Sequence, residues 1–185
     1  MKSKIITICL LLTILVITII LAINVSEQKE SKFNIATSFY PMYIATLNIT
    51  EGVEDITIKN LTQQTTGCIH DYVLTTSELV TLAKADVLII NGASMEEFMD
   101  KVISNFSNLR IIDASKGIDV IQLECDEHHD EHNEYEEHHH EINPHVFVSI
   151  KNYIKQVQNI CDELVKLDTQ NAETYKQNTE VYISN

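Results

Sequence analysis

Tryptophan is absent from this 185-residue chain, and glycine and proline are scarce, at four and two copies. There is no glycine-rich phosphate loop, no nucleophile elbow and no His-Glu-x-x-His pattern. No catalytic constellation is visible, so the expectation is a protein that is not an enzyme. The four cysteines, Cys9, Cys68, Cys125 and Cys161, include no Cys-x-x-Cys pair, which argues against a redox motif or zinc ribbon. Lysine and arginine total only 13 and form no cluster, so no nucleic-acid partner is expected. Internal repeats are also missing.

Apolar residues make up 44% of the chain, which is enough to bury a core. The formal charge of -14 is concentrated: residues 124–141 hold nine Asp or Glu and no Lys or Arg. Such a block attracts cations. Six of the eight histidines lie in the same stretch, His128, His129, His132, His138, His139 and His140. Neutral imidazole is a common zinc and copper ligand, and carboxylates can complete its shell. The stretch has no apolar periodicity and reads as a disordered loop that binds metal weakly at several adjustable sites.

The N-terminus begins with two lysines, followed by an uncharged run over residues 5–23. Its length approaches the ~20 residues that span a bilayer. The flanking lysines favour the cytoplasmic side, which places the remainder outside. A cleaved export signal and a retained anchor both fit this run. Cys9 lacks the small residues expected before a lipid-modified cysteine. Residues 27–32 read as a charged linker.

From residue 33 onward, strand and helix patterns alternate. Strands are expected over 33–38, 53–59, 86–91 and 109–113, with a short one within 118–123. A helix starts at Pro41, with Met42, Ala45 and Ile49 on one face and Gly52 closing it. Thr75 and Glu78 form a capping box for a helix that buries Leu79, Leu82 and Ala83. Ser94 to Glu97 looks like a second capping box, with Phe98, Met99, Val102 and Ile103 following at helical spacing. Ser149 can cap a helix with the stripe Ile150, Ile154, Val157, Cys161, Leu164 and Val165. A further helix starts near Gln170 and runs to the end of the chain. This alternation predicts an α/β fold, a parallel β-sheet flanked by helices.

The two remaining histidines are far apart in sequence. His70 follows the second strand, and His145 stands just beyond the acidic stretch. In open α/β sheets, ligands bind outside the carboxyl ends of the strands. Two imidazoles carried on loops at that edge can converge on one ion. Taken singly, each would more often be a surface or capping histidine.

Three segments bear on that choice: FYPMYIATLNITEG, TTGCIHDYVLTTSELVTLAKADVLIINGASMEEF and NPHVFVSIKNYIKQVQNICDEL. Together they resemble the zinc- and manganese-binding solute receptors of bacterial ABC importers, from Phe33 to the end of the chain. The resemblance implies that the loop histidine and the Asn-Pro-His histidine, here His70 and His145, are metal ligands. It also implies two lobes joined by a long helix, with metal bound between them. Residues 33–148 would be the N-terminal lobe, 1–32 an export or anchor segment with its linker, and 149–185 the start of the linking helix. The second lobe, with its further histidine and carboxylate, is then absent, and the chain is expected to be truncated within the linking helix. Many members have Pro before the loop histidine, whereas Ile69 stands here and Cys68 precedes it. Cys68 is read as a buried residue or half of a disulfide before an auxiliary ligand.

A His-rich loop ahead of Asn-Pro-His is similar to the zinc receptors. The expected cargo is therefore Zn2+, with Mn2+ as the alternative. The expected partners are the metal ion and an ABC permease at the outer face of the membrane. The competing readings are a manganese receptor or metal-linked adhesin, and a metal buffer acting through the His-rich loop alone.

Overall fold

The structure is a computed structural model that describes residues 11–17, 33–62, 69, 72–123 and 141–185. It divides into two units, Met1–Lys32 and Phe33–Asn185. In the first, residues 11–17 are helical with exposed side chains. The rest of the uncharged run lies outside the described residues. Among those described, no helix is long and apolar enough to cross a membrane.

The second unit is built on four parallel strands: β1 (Phe33–Thr37), β2 (Ile56–Asn60), β3 (Val87–Ile90) and β4 (Arg110–Asp113). Their order is β2-β1-β3-β4. Parallel neighbours require crossovers. Helix α1 (Tyr40–Ile49) joins β1 to β2, and α2 (Thr76–Lys84) lies between β2 and β3. A 3-10 turn (Glu97–Met99) and the short α3 (Asp100–Ile103) precede β4. The chain steps from β1 to β2 on one side and returns to β3 on the other. The order therefore reverses between β1 and β3, the kind of crevice where open sheets bind ligands.

Period-two alternation sends Ile35, Val87 and Ile89 to one face and Ala36 and Leu88 to the other. The first face packs Met42, Ala45 and Ile49 of α1 with Val157, Ile160, Cys161 and Leu164 of α4 (Ile150–Leu167). Tyr175 of α5 (Ala172–Ser184) completes it. The second face packs Leu61, Leu82 and Met99. Helix α5 also closes the end of α1. Asn178 Nδ2 donates to the carbonyls of Ile49 and Glu51, at 3.0 and 2.9 Å, which satisfies acceptors that a helix end leaves open.

Several local expectations hold. Pro41 sits in the first turn of α1, and the Thr75–Glu78 capping box forms, with Thr75 N donating to Glu78 at 2.5 Å. Others are corrected. Ala83 is exposed, because only Leu82 of α2 is fully buried. Ile150 is 79% exposed, while Gln156 takes a place on the buried side of α4. Ser149 holds the N-cap position of α4 without a side-chain capping bond. No helix starts at Ser94, where the backbone is left-handed at φ 65°. Glu96, between the two expected capping positions Ser94 and Glu97, is buried. The strand expected within 118–123 is β5 (Gln122–Leu123), paired antiparallel with β6 (Glu141–Ile142).

Candidate metal centre

Ser38 follows β1, and its N–H donates to the carbonyl of Ile89 at 2.9 Å. Asn91 follows β3 and is fully buried. Its side-chain Nδ2 donates to the carbonyls of Gly92 and Pro144, at 2.7 and 3.0 Å. Its own carbonyl and Oδ1 accept from Gln156 Nε2 of α4, at 3.3 and 2.9 Å. One side chain thus ties the end of β3, helix α4 and the residue before His145. Buried amides are kept in place by such bonds, because an unmet polar group is costly there.

Glu96 braces the same corner from below. Its carboxylate accepts from Ser38 Oγ at 2.7 Å, from Asn91 N at 2.8 Å and from Gly92 N at 3.1 Å. Burial pushes its pKa up to about 7; those three bonds pull it down, and nearby Asp113 adds to the rise. Gly92 is needed at φ 76°, since a Cβ there would lie 1.8 Å from Asp113 Oδ1. Asp113 cannot easily move away, because Oδ1 accepts from Ser115 N and Ser115 Oγ, at 2.8 and 2.7 Å.

His145 opens the 3-10 turn Val146–Val148 on the exposed side of this corner. Pro144 before it and Val146 after it are buried. Asn143 Oδ1 accepts from the His145 backbone N–H at 3.0 Å and lies 3.1 Å from ring Nδ1. The ring stands 6.1 Å from Phe147, which packs edge-on against Phe39 at 5.1 Å. An exposed imidazole on an anchored turn suits a ligand that must meet its ion from solvent.

His70 lies outside the described residues, as do His128, His129, His132, His138, His139 and His140. Ile69 and Tyr72 flank residues 70–71 in sequence. Ile69 is 2% exposed in the main core, and its carbonyl accepts from Tyr72 N at 3.0 Å. Tyr72 packs edge-on against Phe98 at 6.0 Å and donates its hydroxyl to Glu78. Burial first, then that carboxylate, pushes the Tyr72 pKa up to about 12. Cys68 and Cys125 also lie outside the described residues, while Cys161 is a buried free thiol. Among the described residues, no three His, Cys, Asp or Glu side chains gather into a metal-holding group.

Sequence reasoning singled out His145 but not the polar residues that hold its turn. Glu96 falls between Ser94 and Glu97, the two positions of the capping pattern, and that spacing gives it no role of its own. Gln156 could have been noticed as an amide beside Val157 on the buried side of the α4 pattern. The Asn143-Pro144-His145 run and Asn91-Gly92 were visible only as parts of the resemblance.

Residues 35–185 match the family model described as zinc-uptake complex component A, periplasmic. The chain is 32% identical over 163 residues to the high-affinity zinc uptake system protein ZnuA of Bacillus subtilis, covering 86% of this chain and 50% of that protein. It is 30% identical over 114 residues to the manganese-binding lipoprotein MntA of Halalkalibacterium halodurans, covering 62% and 34%. Among solved structures, the Mn-bound periplasmic metal binding protein from Candidatus Liberibacter asiaticus aligns with a TM-score of 0.69 at 27% identity. That alignment covers 83% of this chain and 52% of the other. The chain spans about half the length of the first of these relatives.

Proposed function

This chain belongs to the periplasmic zinc-uptake complex component A family, and from that premise we propose that it captures zinc outside the cytoplasmic membrane for delivery to an ABC importer. It acts as a receptor rather than a catalyst. The observation that carries this reading is His145. An exposed imidazole stands on a turn anchored at the crevice where the strand order reverses. His70 supplies the second imidazole, and its neighbours Ile69 and Tyr72 in sequence are fixed by the core. Two imidazoles fit zinc, which takes nitrogen ligands readily.

Curated relatives include one named for zinc and one named for manganese. Nitrogen donors and the six extra histidines of residues 124–141 favour zinc, since manganese prefers oxygen-rich sites. The His-rich stretch serves as an auxiliary collector of zinc, and an importer permease is the receiving partner. The apolar N-terminal run and the periplasmic description of the family support an extracytoplasmic location.

Competition against a zinc chelator of known affinity tests the reading. His70→Ala and His145→Ala should each weaken the tightest zinc equivalent, while a pure buffer would lose little capacity. Unchanged affinity in both variants would transfer the function to the His-rich stretch alone. Fractionation of cells should place the folded unit outside the membrane, and recovery of the full chain from the cytoplasm would overturn that location.

A further inference from the structure

Asn143 holds the Asn-Pro-His turn with an oxygen that also faces the ring of His145. Its Oδ1 lies 3.0 Å from the His145 backbone N–H and 3.1 Å from ring Nδ1. A backbone N–H can only donate, so the atom it reaches is the amide oxygen and not the amide nitrogen. An oxygen without a proton can only accept. The ring nitrogen sharing that oxygen then carries a hydrogen, and in the neutral ring this puts the lone pair on Nε2.

The acceptor itself is held at both ends. Asn143 N–H donates to the carbonyl of Ile121 at 2.9 Å, extending the β5–β6 pair. Pro144 restricts the backbone of the residue before it, and its carbonyl is gripped by Asn91 at 3.0 Å. Oδ1 is thus delivered to one place, two residues ahead of the ring. In an unconstrained histidine in water the proton sits mostly on Nε2, the opposite arrangement.

We propose that Asn143 is a positioning residue that commits His145 to the Nδ1–H tautomer, so that Nε2 is the nitrogen offered to metal. This rests on the reading of His145 as a ligand and adds the residue that sets its donor atom. Partners on the non-ligating ring nitrogen typically matter by 10–100-fold in metal affinity.

The test uses the full-length chain with the six histidines of residues 124–141 replaced by asparagine, which leaves only His70 and His145. Ring nitrogen NMR at pH 8 without metal reads the tautomer directly, with His145 assigned by loss of its signals in His145→Gln. The parent should show a pyrrole-type Nδ1 and a pyridine-type Nε2. Asn143→Ala should move the ring toward the Nε2–H form, and Asn143→Asp, which keeps an acceptor, should restore the parent pattern. Chelator competition should then show zinc binding weakened about 10–100-fold by Asn143→Ala and partly rescued by Asn143→Asp. A parent ring with its proton on Nε2 overturns the proposal, as does unchanged zinc affinity in Asn143→Ala when His145→Gln weakens binding. If His145→Gln itself leaves affinity unchanged, the ligand assignment fails; the NMR pattern is decided separately.

Discussion

Asn91 and Pro144, 53 positions apart in sequence, are joined by a 3.0 Å bond from the amide of one to the carbonyl of the other. Through it the end of β3 holds the turn that carries His145. The same side chain receives Gln156 from α4, so one amide links a strand end, a helix and the His145 turn.

Removing that side chain should be expensive. Asn91→Ala leaves the Pro144 and Gly92 carbonyls without their donor, and Gln156 Nε2 with only the longer of its two bonds. A buried polar group stripped of its partner costs about 1–3 kcal/mol. Urea unfolding should show a loss in that range or above, together with weaker zinc binding. Gln156→Leu should lose less, because Gln156 Oε1 already has no hydrogen-bond partner among the described residues. Equal losses from the two variants would show that Pro144 gains little from Asn91.

Gly92 should tolerate no side chain unless Asp113 is removed as well. A Cβ at Gly92 would meet Asp113 Oδ1 at 1.8 Å and Ser115 Oγ at 2.4 Å. Gly92→Ala is expected to destabilise by about 3 kcal/mol, from overpacking and from the left-handed backbone combined. Asp113→Ala removes the nearest obstacle, so the double variant should be more stable than the sum of the two single losses. Strict additivity in thermal or urea unfolding would place the obstacle elsewhere.

The parts of this fold that could be read from sequence are those where one physical rule acts alone. Met42, Ala45 and Ile49 recur on one face of α1, and all three are fully buried. The run at β3 is apolar throughout because both sheet faces are covered, with Leu88 on one and Val87 and Ile89 on the other. Legibility ended where a side chain had two possible partners. Ser94 and Glu97 fit a capping box by local spacing, yet Ser94 is left-handed at φ 65° and Glu96 between them is buried, accepting from Ser38, 58 residues away, and from two N–H groups at the β3 end. Non-local bonds of this kind leave no periodic trace. His145 could be picked out by its neighbours Asn143 and Pro144, but its brace at Asn91 could not, since one buried amide looks like any other in a string of letters.

The loop after Gly92 continues left-handed through two residues with a Cβ, Ala93 at φ 51° and Ser94 at φ 65°. L-residues in that region give up about 1–2 kcal/mol each. Ala93→Gly and Ser94→Gly should therefore each stabilise the protein slightly, by about 0.5–1 kcal/mol, once the extra freedom of glycine in the unfolded chain is set against the relief. A clear loss of stability in either variant would mean that its side chain makes a contact outweighing the strain.

Glu96 should make stability depend on pH in an unusual direction for a carboxylate. Burial raises its folded-state pKa from the ordinary 4.5 to about 7. The folded protein then holds this proton more tightly than the unfolded chain. The resulting stabilisation is full below pH 4.5 and is lost as pH rises through 7. The difference is on the order of 3 kcal/mol, since each unit is worth about 1.4. Glu96→Gln cannot ionise, so it should lack this slope. Its amide would also turn an N–H toward Gly92 N, a donor facing a donor where the carboxylate accepts at 3.1 Å. The variant should consequently be less stable than the parent at pH 5, and the gap should narrow or reverse by pH 8.5. Denaturant unfolding of both proteins across that range measures the gap directly. Two parallel curves would show that Glu96 keeps one protonation state throughout, with its three donors outweighing its burial.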